Sequence, residues 1–313
     1  GKIMTSKELL YVKTIAEEKS ISKASRKLYI SQPSLSQAIQ RIEESLGTIL
    51  FKRTNTGLIL TVAGEKYCKM ANQILKIYDD FKIEINDMND MKKGRVNIGI
   101  TMQLSIHVLP MILPKFKELC PFIDIYVTEN NSTELEKLLL SGEIDFAIMH
   151  EPKSKKNTSI NYESLLTDPF LLAISKEHPL CENYSLDENG NYPYIDLNLI
   201  KNEPFIMVNK QQRIRHISDN ILNLANITPN IALTVKNYEA AKRLATEGMG
   251  VTFIPLQYSK ISPNRFCPAY FMIDEKYEAN WIMCIATMEN SFLSKADNLL
   301  IDIVREKFKS KEI

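Results

Sequence analysis

Residues 20–47 read SISKASRKLYISQPSLSQAIQRIEESLG, and this stretch decides the fold of the N-terminal region. A short helix is predicted from about Ser22 to Leu28, and Tyr29-Ile30 then forms a tight connection. Ser31 can cap the next helix, with Pro33 in its first turn, where the missing N–H of proline costs nothing. The pattern predicts that this helix ends at a glycine and buries one apolar stripe, formed by Leu35, Ile39, Ile42 and Leu46 before Gly47.

The flanking residues complete a small domain. Upstream, Thr5-Ser6-Lys7-Glu8 fits a capping box, which predicts the start of another helix. Downstream, Leu50–Arg53 and Leu58–Leu60 flank Thr54–Gly57, the pattern of a β-hairpin. Three helices with a tight connection before the third form a helix-turn-helix, and a hairpin beside it is a wing.

The exposed face of the third helix carries short and amide side chains, which suit the reading of base edges in a DNA major groove. An arginine on the wing suits the minor groove. A small helical domain with a merely polar face is the alternative. The candidate DNA-binding residues are Ser31, Gln32, Pro33, Ser34, Ser36, Gln37, Arg41 and Arg53.

The charge of the chain is distributed unevenly. Residues 1–60 hold ten Lys or Arg and five acidic residues, a net charge of +5, whereas the other residues hold 29 and 33, a net charge of −4. A basic head on a mildly acidic body is typical of a nucleic-acid-binding module joined to a second unit.

The head resembles the N-terminal signature of LysR-type transcriptional regulators. Many spaced positions match over about sixty residues, namely Ala16–Glu18, Ser20, Ala24, Leu28, Ser31–Ser36, Ile39, Glu43, Leu46-Gly47, Leu50-Phe51, Arg53, Thr61 and Ala63-Gly64. The resemblance implies a DNA-binding regulator with a winged helix-turn-helix.

A long helix is predicted from Thr61 to about Lys92, because this stretch lacks proline and has glycine only at position 64. Its apolar residues are spaced 3, 4, 3, 4, as in a coiled coil, and they are Tyr67, Met70, Ile74, Ile77 and Phe81. Ile85 and Met88 continue the stripe less regularly. A dimer seam suits a helix-turn-helix that reads two half-sites, and the resemblance implies the same linker-helix dimer. The alternative is a helix packed on its own domain.

After Gly94 the pattern changes to strands alternating with helices, which predicts a parallel sheet flanked by helices. Such sheets bind ligands at the carboxyl ends of their strands. The candidate effector-binding residues at such positions are Thr101, Met102, Gln103, Asn131, Ser132 and His150 in the first lobe, with Asn209 and Met249 in the second. Arg213 and Arg215 precede a second-lobe helix and either add charge to this site or lie solvated.

The body resembles the two-lobed, periplasmic-binding-protein-like effector domain of the same family, with landmarks at Phe205-Ile206, Gly248–Val251 and Ile254-Pro255. The predicted organisation is an N-terminal winged helix-turn-helix, a long linker helix and an α/β effector domain. Its boundaries are 1–62, 63–93 and 94–313, with lobe I at 94–164 and 268–313 and lobe II at 165–267.

The sequence contains no complete catalytic motif of the kinds considered. Ser20–Lys23 matches S-x-x-K and Ser218–Asn220 matches S-D-N, but no K-T-G follows, and both matches are read as chance. The four histidines lack metal-ligand spacing, and there is no P-loop, so no catalytic residue, cofactor or metal is expected. An α/β enzyme fused to a DNA-binding head and a redox sensor that uses cysteines remain as alternatives.

The sequence therefore predicts a cytoplasmic transcriptional regulator that binds inverted-repeat double-stranded DNA as a dimer of dimers, with RNA polymerase as a further partner. No apolar run approaches the roughly 18 residues of a transmembrane helix, so no membrane partner is expected. Helix starts at the strand ends present free N–H groups, which favour a small organic anion as the effector.

Overall fold

The structure, a computed structural model, describes residues 4–87, 94–186, 190–260 and 267–309. A head of three helices and a hairpin comes first, and it is the winged helix-turn-helix that the sequence predicts. Its elements are α1 (Ser6–Glu18), α2 (Ile21–Lys27), α3 (Gln32–Leu46), β1 (Phe51–Thr54) and β2 (Gly57–Leu60).

Short side chains cap the starts of these helices. Thr5 and Glu8 form the expected capping box, in which the Thr5 N–H donates to the Glu8 carboxylate at 2.8 Å and the Glu8 N–H donates to Thr5 Oγ1 at 3.3 Å. Ser20 caps α2 by accepting the Lys23 N–H at 3.3 Å, which gives this serine a structural role. Helix α3 ends at Gly47, whose φ of 66° is a left-handed conformation that glycine adopts without strain.

The core of the head differs from the prediction at one residue. Leu35, Ile39 and Ile42 are buried as expected, but Leu46 is 42% exposed. Leu46 is the last residue of α3, and Leu50, after the turn, enters the core cluster instead.

The linker helix α4 (Val62–Asp87) follows the wing, and the predicted continuation through Met88 to Lys92 lies outside the described residues. Its stripe divides between two environments. Tyr67 is 5% exposed and belongs to the core of the head, and Met70 packs against the same cluster. The assignment of Tyr67 to a dimer seam was therefore wrong, since the head of the same chain covers it, whereas the half-buried Met70 stays a predicted seam residue. Ile74, Ile77 and Phe81 are exposed.

Lobe I contains the predicted parallel sheet. Strand β3 pairs in parallel with both β4 and β5, and β11 joins antiparallel to β5. The elements are β3 (Gly94–Ile100), α5 (Met102–Leu119), β4 (Ile123–Glu129), α6 (Ser132–Ser141), β5 (Phe146–His150), β11 (Asn280–Met288) and α10 (Lys295–Lys309).

Strand β6 (Ile160–Ile174) runs through both lobes. Residues 160–169 pair with β11, whereas residues 170–174 pair with strands of lobe II. The chain crosses back between Tyr277 and Trp281, where the Phe170 N–H donates to the Ala279 carbonyl at 2.8 Å. The lobes therefore meet at two adjacent crossings.

Lobe II contains two parallel strands and a pair of helices, followed by short strands against β6. Its elements are β7 (Pro204–Val208), α7 (Arg213–Leu224), β8 (Asn230–Val235), α8 (Tyr238–Thr246), β9 (Thr252–Pro255), α9 (Leu256–Ser259) and β10 (Ala269–Met272). The predicted lobe boundaries at 165 and 268 were wrong: Leu165 packs in the lobe I core, and β10 pairs with the lobe II half of β6.

A buried ion pair fastens α4 to lobe I. The Lys76 ammonium contacts the Asp80 carboxylate at 3.0 Å and also pairs with Asp145, which precedes β5. Asp145 in turn accepts the Asn97 backbone N–H at 2.7 Å. A Cβ atom at Gly142 would lie only 2.6 Å from Lys76 Cβ, so glycine permits this close approach. Removing one partner would leave an uncompensated buried charge and cost roughly 3–5 kcal/mol, so these charged groups stay together in the folded chain.

Candidate functional site

The predicted DNA-binding residues lie on one surface of the head. Gln32, Ser34, Gln37 and Arg41 are exposed, as are Ser31, Pro33 and Arg53, and Ser36 is half-buried. The two serines at the helix start also serve the fold, because Ser31 Oγ accepts the Ser34 N–H at 3.3 Å and lies 2.7 Å from Ser34 Oγ.

A groove of about 320 Å³ separates α3 from the wing and brings Gln32, Ser36 and Arg53 together. The α1–α2 connection forms its other wall with Lys19, Ser20 and Ser22, three residues that were not predicted to belong to this surface. The Leu58 N–H donates to the Lys19 carbonyl at 2.9 Å, and this bond holds the wing against the helices. The wing arginine is thereby fixed beside the start of α3.

A second cavity, of about 190 Å³, lies between the two lobes. Seven of the eight predicted effector-binding residues line it, namely Thr101, Met102, Gln103, Asn131, Ser132, His150 and Asn209. Met249 was a wrong prediction: it is 51% exposed and does not line the cavity. It follows the carboxyl end of α8, whereas the cavity collects the amino ends of helices.

Asn130, which lies with Asn131 at the predicted end of β4, also lines the cavity, and five further lining residues were missed, namely Gln211, Gln212, Ile214, Tyr258 and Trp281. Gln211 and Gln212 follow β7, so the strand-end rule applied fully to lobe II would have found them. Trp281 is the second residue of the antiparallel strand β11, and the strand-end rule applies only to the carboxyl ends of parallel strands. Arg213, whose role the sequence left open, also lines the cavity.

Three helices begin at this cavity. Helix α6 is capped by Asn131, whose Oδ1 accepts the Glu134 N–H at 3.0 Å. Thr101 and Gln212, at the starts of α5 and α7, make no side-chain cap bond. Thr101 Oγ1 and Asn209 Oδ1 are buried without a hydrogen-bond partner. Free N–H groups at helix starts carry partial positive charge and bind anions.

One wall of the cavity is a stacked pair of rings. The His150 imidazole lies on the Trp281 indole with ring centres 3.4 Å apart and an interplanar angle of 13°. Burial, with a smaller effect of Arg213, lowers the pKa of His150 to about 3, so its ring is neutral near pH 7.

Behind this wall, the Trp281 Nε1–H donates to Asp168 Oδ2 at 3.1 Å, and the Gln257 N–H donates to Asp168 Oδ1 at 3.1 Å. Asp168 is 3% exposed, and burial raises the pKa of its carboxyl group to about 6, although both hydrogen bonds oppose the shift.

Comparison with known proteins decides the family. Residues 6–65 match the bacterial regulatory helix-turn-helix protein, lysR family, and residues 89–309 match the LysR substrate binding domain. The chain belongs to the LysR family of transcriptional regulators. It is 26% identical over 98% of its length to the uncharacterized HTH-type transcriptional regulator YcgK of Bacillus subtilis (strain 168), covering 95% of that protein. It is 30% identical to the HTH-type transcriptional regulator AlsR of the same organism, over 82% of each chain.

Solved structures share the fold of this LysR-family chain. A full-length OxyR variant from Pseudomonas aeruginosa superposes with a TM-score of 0.73 at 20% identity, covering 99% of this chain and 96% of the other. Full-length CbnR in complex with its target DNA gives a TM-score of 0.62 at 18% identity, covering 97% and 99%.

Four of the five cysteines of this LysR-family chain do not have the character of reactive thiols. Burial raises the pKa of Cys68 to about 11 and that of Cys284 to about 12, and it also raises the pKa of Cys120 and Cys181. A raised pKa keeps the thiol protonated and unreactive. The five cysteines form no disulfide within the part of the chain that the structure describes.

The described residues contain no group of three or more His, Cys, Asp or Glu side chains arranged to hold a metal ion. Within the same ranges, no helix combines the length and apolarity that crossing a membrane requires.

Trp281 is the single tryptophan, which makes its emission a specific reporter of the cavity. Because Asp168 holds the indole N–H and has a pKa of about 6, we expect Trp281 emission to change with a midpoint near pH 6 and Asp168→Asn to abolish the change. The folded chain binds this proton more tightly than an unfolded one, so the group's contribution to stability is lost as pH rises from about 4 to 6.

Fluorescence titration of the whole chain between pH 5 and 8 measures this. His150→Gln serves as the control, since it removes the stacked ring and leaves Asp168 in place, and it should keep the midpoint. A midpoint near 6 that persists in Asp168→Asn would assign the titration to another group.

Proposed function

We propose that this regulator binds inverted-repeat duplex DNA through its head and that a small organic anion, bound between the lobes, changes its activity. The main support for this proposal is that helices α5, α6 and α7 begin at one interlobe cavity, which Arg213 also lines. In this proposal the protein works in the cytoplasm on chromosomal DNA, with RNA polymerase as a further partner, and it performs no catalysis.

The placement of the two enzyme-like motifs agrees with a regulator. Ser20 caps a helix of the head, and Ser218 Oγ donates to the Ile214 carbonyl at 2.9 Å inside α7. Both hydroxyl groups therefore have structural partners, and they lie in different domains.

The groove of the head supports the DNA-binding half of the proposal. It presents an amide, a hydroxyl and a guanidinium group from Gln32, Ser36 and Arg53 over a short distance, with the exposed Gln37 and Arg41 further along α3. Amide and arginine side chains are the usual readers of base edges, and an arginine at a wing reaches the minor groove or a phosphate.

Arg53→Ala tests this placement. We expect the affinity for an inverted-repeat duplex, selected by the protein from a random pool, to fall by about 1–3 kcal/mol, with a salt slope smaller by about one if Arg53 contacts a phosphate. Fluorescence anisotropy at several salt concentrations measures both quantities. Lys115→Ala, at an exposed lysine on α5, is the matched control; equal losses in the two variants would refute the role of the wing.

Dimerisation through α4 follows from the exposed part of its stripe. Ile74, Ile77, Phe81 and Ile85 are 41–64% exposed along one helix. Large apolar side chains in a row are covered in most soluble proteins, and a second copy of α4 supplies a matching row. We propose a dimer through these residues and a tetramer formed from two dimers.

Ile77→Asp should separate the two heads without unfolding either, because Ile77 is 64% exposed in the single chain. We expect weaker binding to the inverted repeat and a smaller mass in analytical ultracentrifugation, since a buried charge destabilises the seam. Asp79→Asn, an exposed change on the face of α4 opposite Ile77, should leave both values as they are. Unaltered mass and affinity for Ile77→Asp would exclude the seam.

The interlobe cavity supports the effector half of the proposal. The uncapped starts of α5 and α7 offer N–H donors, Thr101 offers a buried hydroxyl group, and Arg213 offers positive charge. A volume of about 190 Å³ is below the range of about 300–1,000 Å³ typical of drug-sized sites, so the ligand is a molecule of few carbons. A small carboxylate satisfies these conditions.

Thr101→Val removes the hydroxyl group and keeps the shape. We expect binding of a simple carboxylate probe, propionate, to weaken by about 1.5–3 kcal/mol, the usual value for a hydrogen bond to a charged group. The unliganded variant should melt at a slightly higher temperature, because it no longer buries an unpartnered hydroxyl group. Calorimetry and Trp281 emission measure these effects, with Thr133→Val on the exposed surface of α6 as control. Equal propionate affinity in Thr101→Val and the parent would remove Thr101 from the site.

A further inference from the structure

Arg213 connects the two lobes beside the cavity. It is the first residue of α7 in lobe II, and its guanidinium group reaches lobe I. One nitrogen donates to the His150 carbonyl, and another donates to Glu136 Oε1 on α6 at 2.8 Å. The side chains of Arg213 and Glu136 are only 14% and 18% exposed, so water screens this pair weakly.

Glu136 is held by a second hydrogen bond as well. The Tyr162 hydroxyl group, on β6, donates to the same Glu136 Oε1 at 2.8 Å. Burial, together with this carboxylate, raises the pKa of Tyr162, so its phenol keeps the proton that it donates. The nearby Lys156 is paired with Glu151 at 2.8 Å, and its ammonium lies 5.8 Å from the centre of the Tyr162 ring. Glu136 is thus fixed as the counter-ion of Arg213.

The charge of the cavity depends on this pair. Among the described residues that line the cavity, Arg213 carries the formal positive charge, because His150 is neutral and the others are amides, hydroxyls and apolar groups. Glu136 does not line the cavity, yet it already neutralises Arg213. An anion that enters therefore meets an arginine that is occupied by a carboxylate of the protein.

We propose that Glu136 is a built-in competitor of the effector: the anionic group of the ligand takes Arg213 over from Glu136, and this exchange sets the selectivity and affinity of the site. The inference rests on the proposed anionic effector and adds the residue that tunes its binding. In the unliganded chain the lobes are bridged by Arg213–Glu136, and in the liganded chain they are bridged by Arg213 and the ligand.

Glu136→Gln, compared with the loss of a second carboxylate on the same helix, separates exchange from simple addition, because the loss of any nearby negative charge favours an anion. The amide still accepts hydrogen bonds from Tyr162 and Arg213 but no longer neutralises the guanidinium group. If the ligand exchanges with Glu136, we expect propionate to bind about tenfold or more tightly to this variant, because one charged competitor is lost. Propionamide, the neutral analogue, should not gain affinity. Arg213→Gln should weaken propionate binding by about tenfold or more.

The measurement is titration of Trp281 emission in the full chain at constant ionic strength. Glu134→Gln is the matched control: it lies on the same helix, is more exposed and pairs with Lys137 at 2.6 Å on the surface. Glu136→Asp provides a second variant should Glu136→Gln not fold, since it withdraws the carboxylate by one methylene. Its propionate affinity should rise by a smaller factor.

The outcomes distinguish the two proposals. Tighter propionate binding in Glu136→Gln but not in Glu134→Gln supports exchange. Unchanged or weaker binding in Glu136→Gln, with measurable binding to the parent, overturns exchange and leaves the anionic effector in place. Absence of propionate binding to both the parent and Glu136→Gln overturns exchange together with the small-carboxylate assignment.

Discussion

The hydrogen bond from the Trp281 indole to the Asp168 carboxylate is the constraint on which the two-lobed body depends. The two residues face each other in the β6–β11 pairing, at the point where the chain passes between the lobes. The bond fixes the indole plane, the indole supports His150, and His150 closes the wall of the cavity. Because Asp168 is almost fully buried, its carboxylate without these donors would be costly, so the crossing keeps one geometry.

Short-range sequence patterns, such as helix caps and strand ends, were enough to predict the fold of the head and the lobe I side of the cavity. Caps at Thr5, Ser20 and Ser31 and the glycine at position 47 act within a few residues, so the sequence alone places the helices. The strand-end rule likewise found the lobe I side of the cavity. Tyr258 and Trp281 could not be found in this way, because α9 and an antiparallel strand bring them to the site through the tertiary fold.

The wrong predictions have two physical origins. Periodicity shows which face of a helix is apolar, but it does not show what covers that face. Tyr67 belongs to the same stripe as Ile74 and Ile77, yet Tyr67 packs on its own head and the others remain exposed. Met249 lies next to a glycine motif that marks a turn, and a turn at the carboxyl end of a helix offers carbonyl groups rather than N–H groups.

The attachment of α4 at Lys76 gives the linker helix the mechanics of a lever. Its fulcrum is buried in lobe I, and the DNA-binding head packs along the helix from Ala63 to Leu75, so that the head moves with the helix. The fourteen residue steps from Lys76 to Val62 span about 21 Å at about 1.5 Å per residue. A tilt of about 10° at the fulcrum therefore displaces the head by nearly 4 Å, slightly more than the 3.4 Å rise of one base pair along a DNA strand. Small rotations of lobe I are therefore enough to shift the DNA-binding head by about one base-pair step along the DNA.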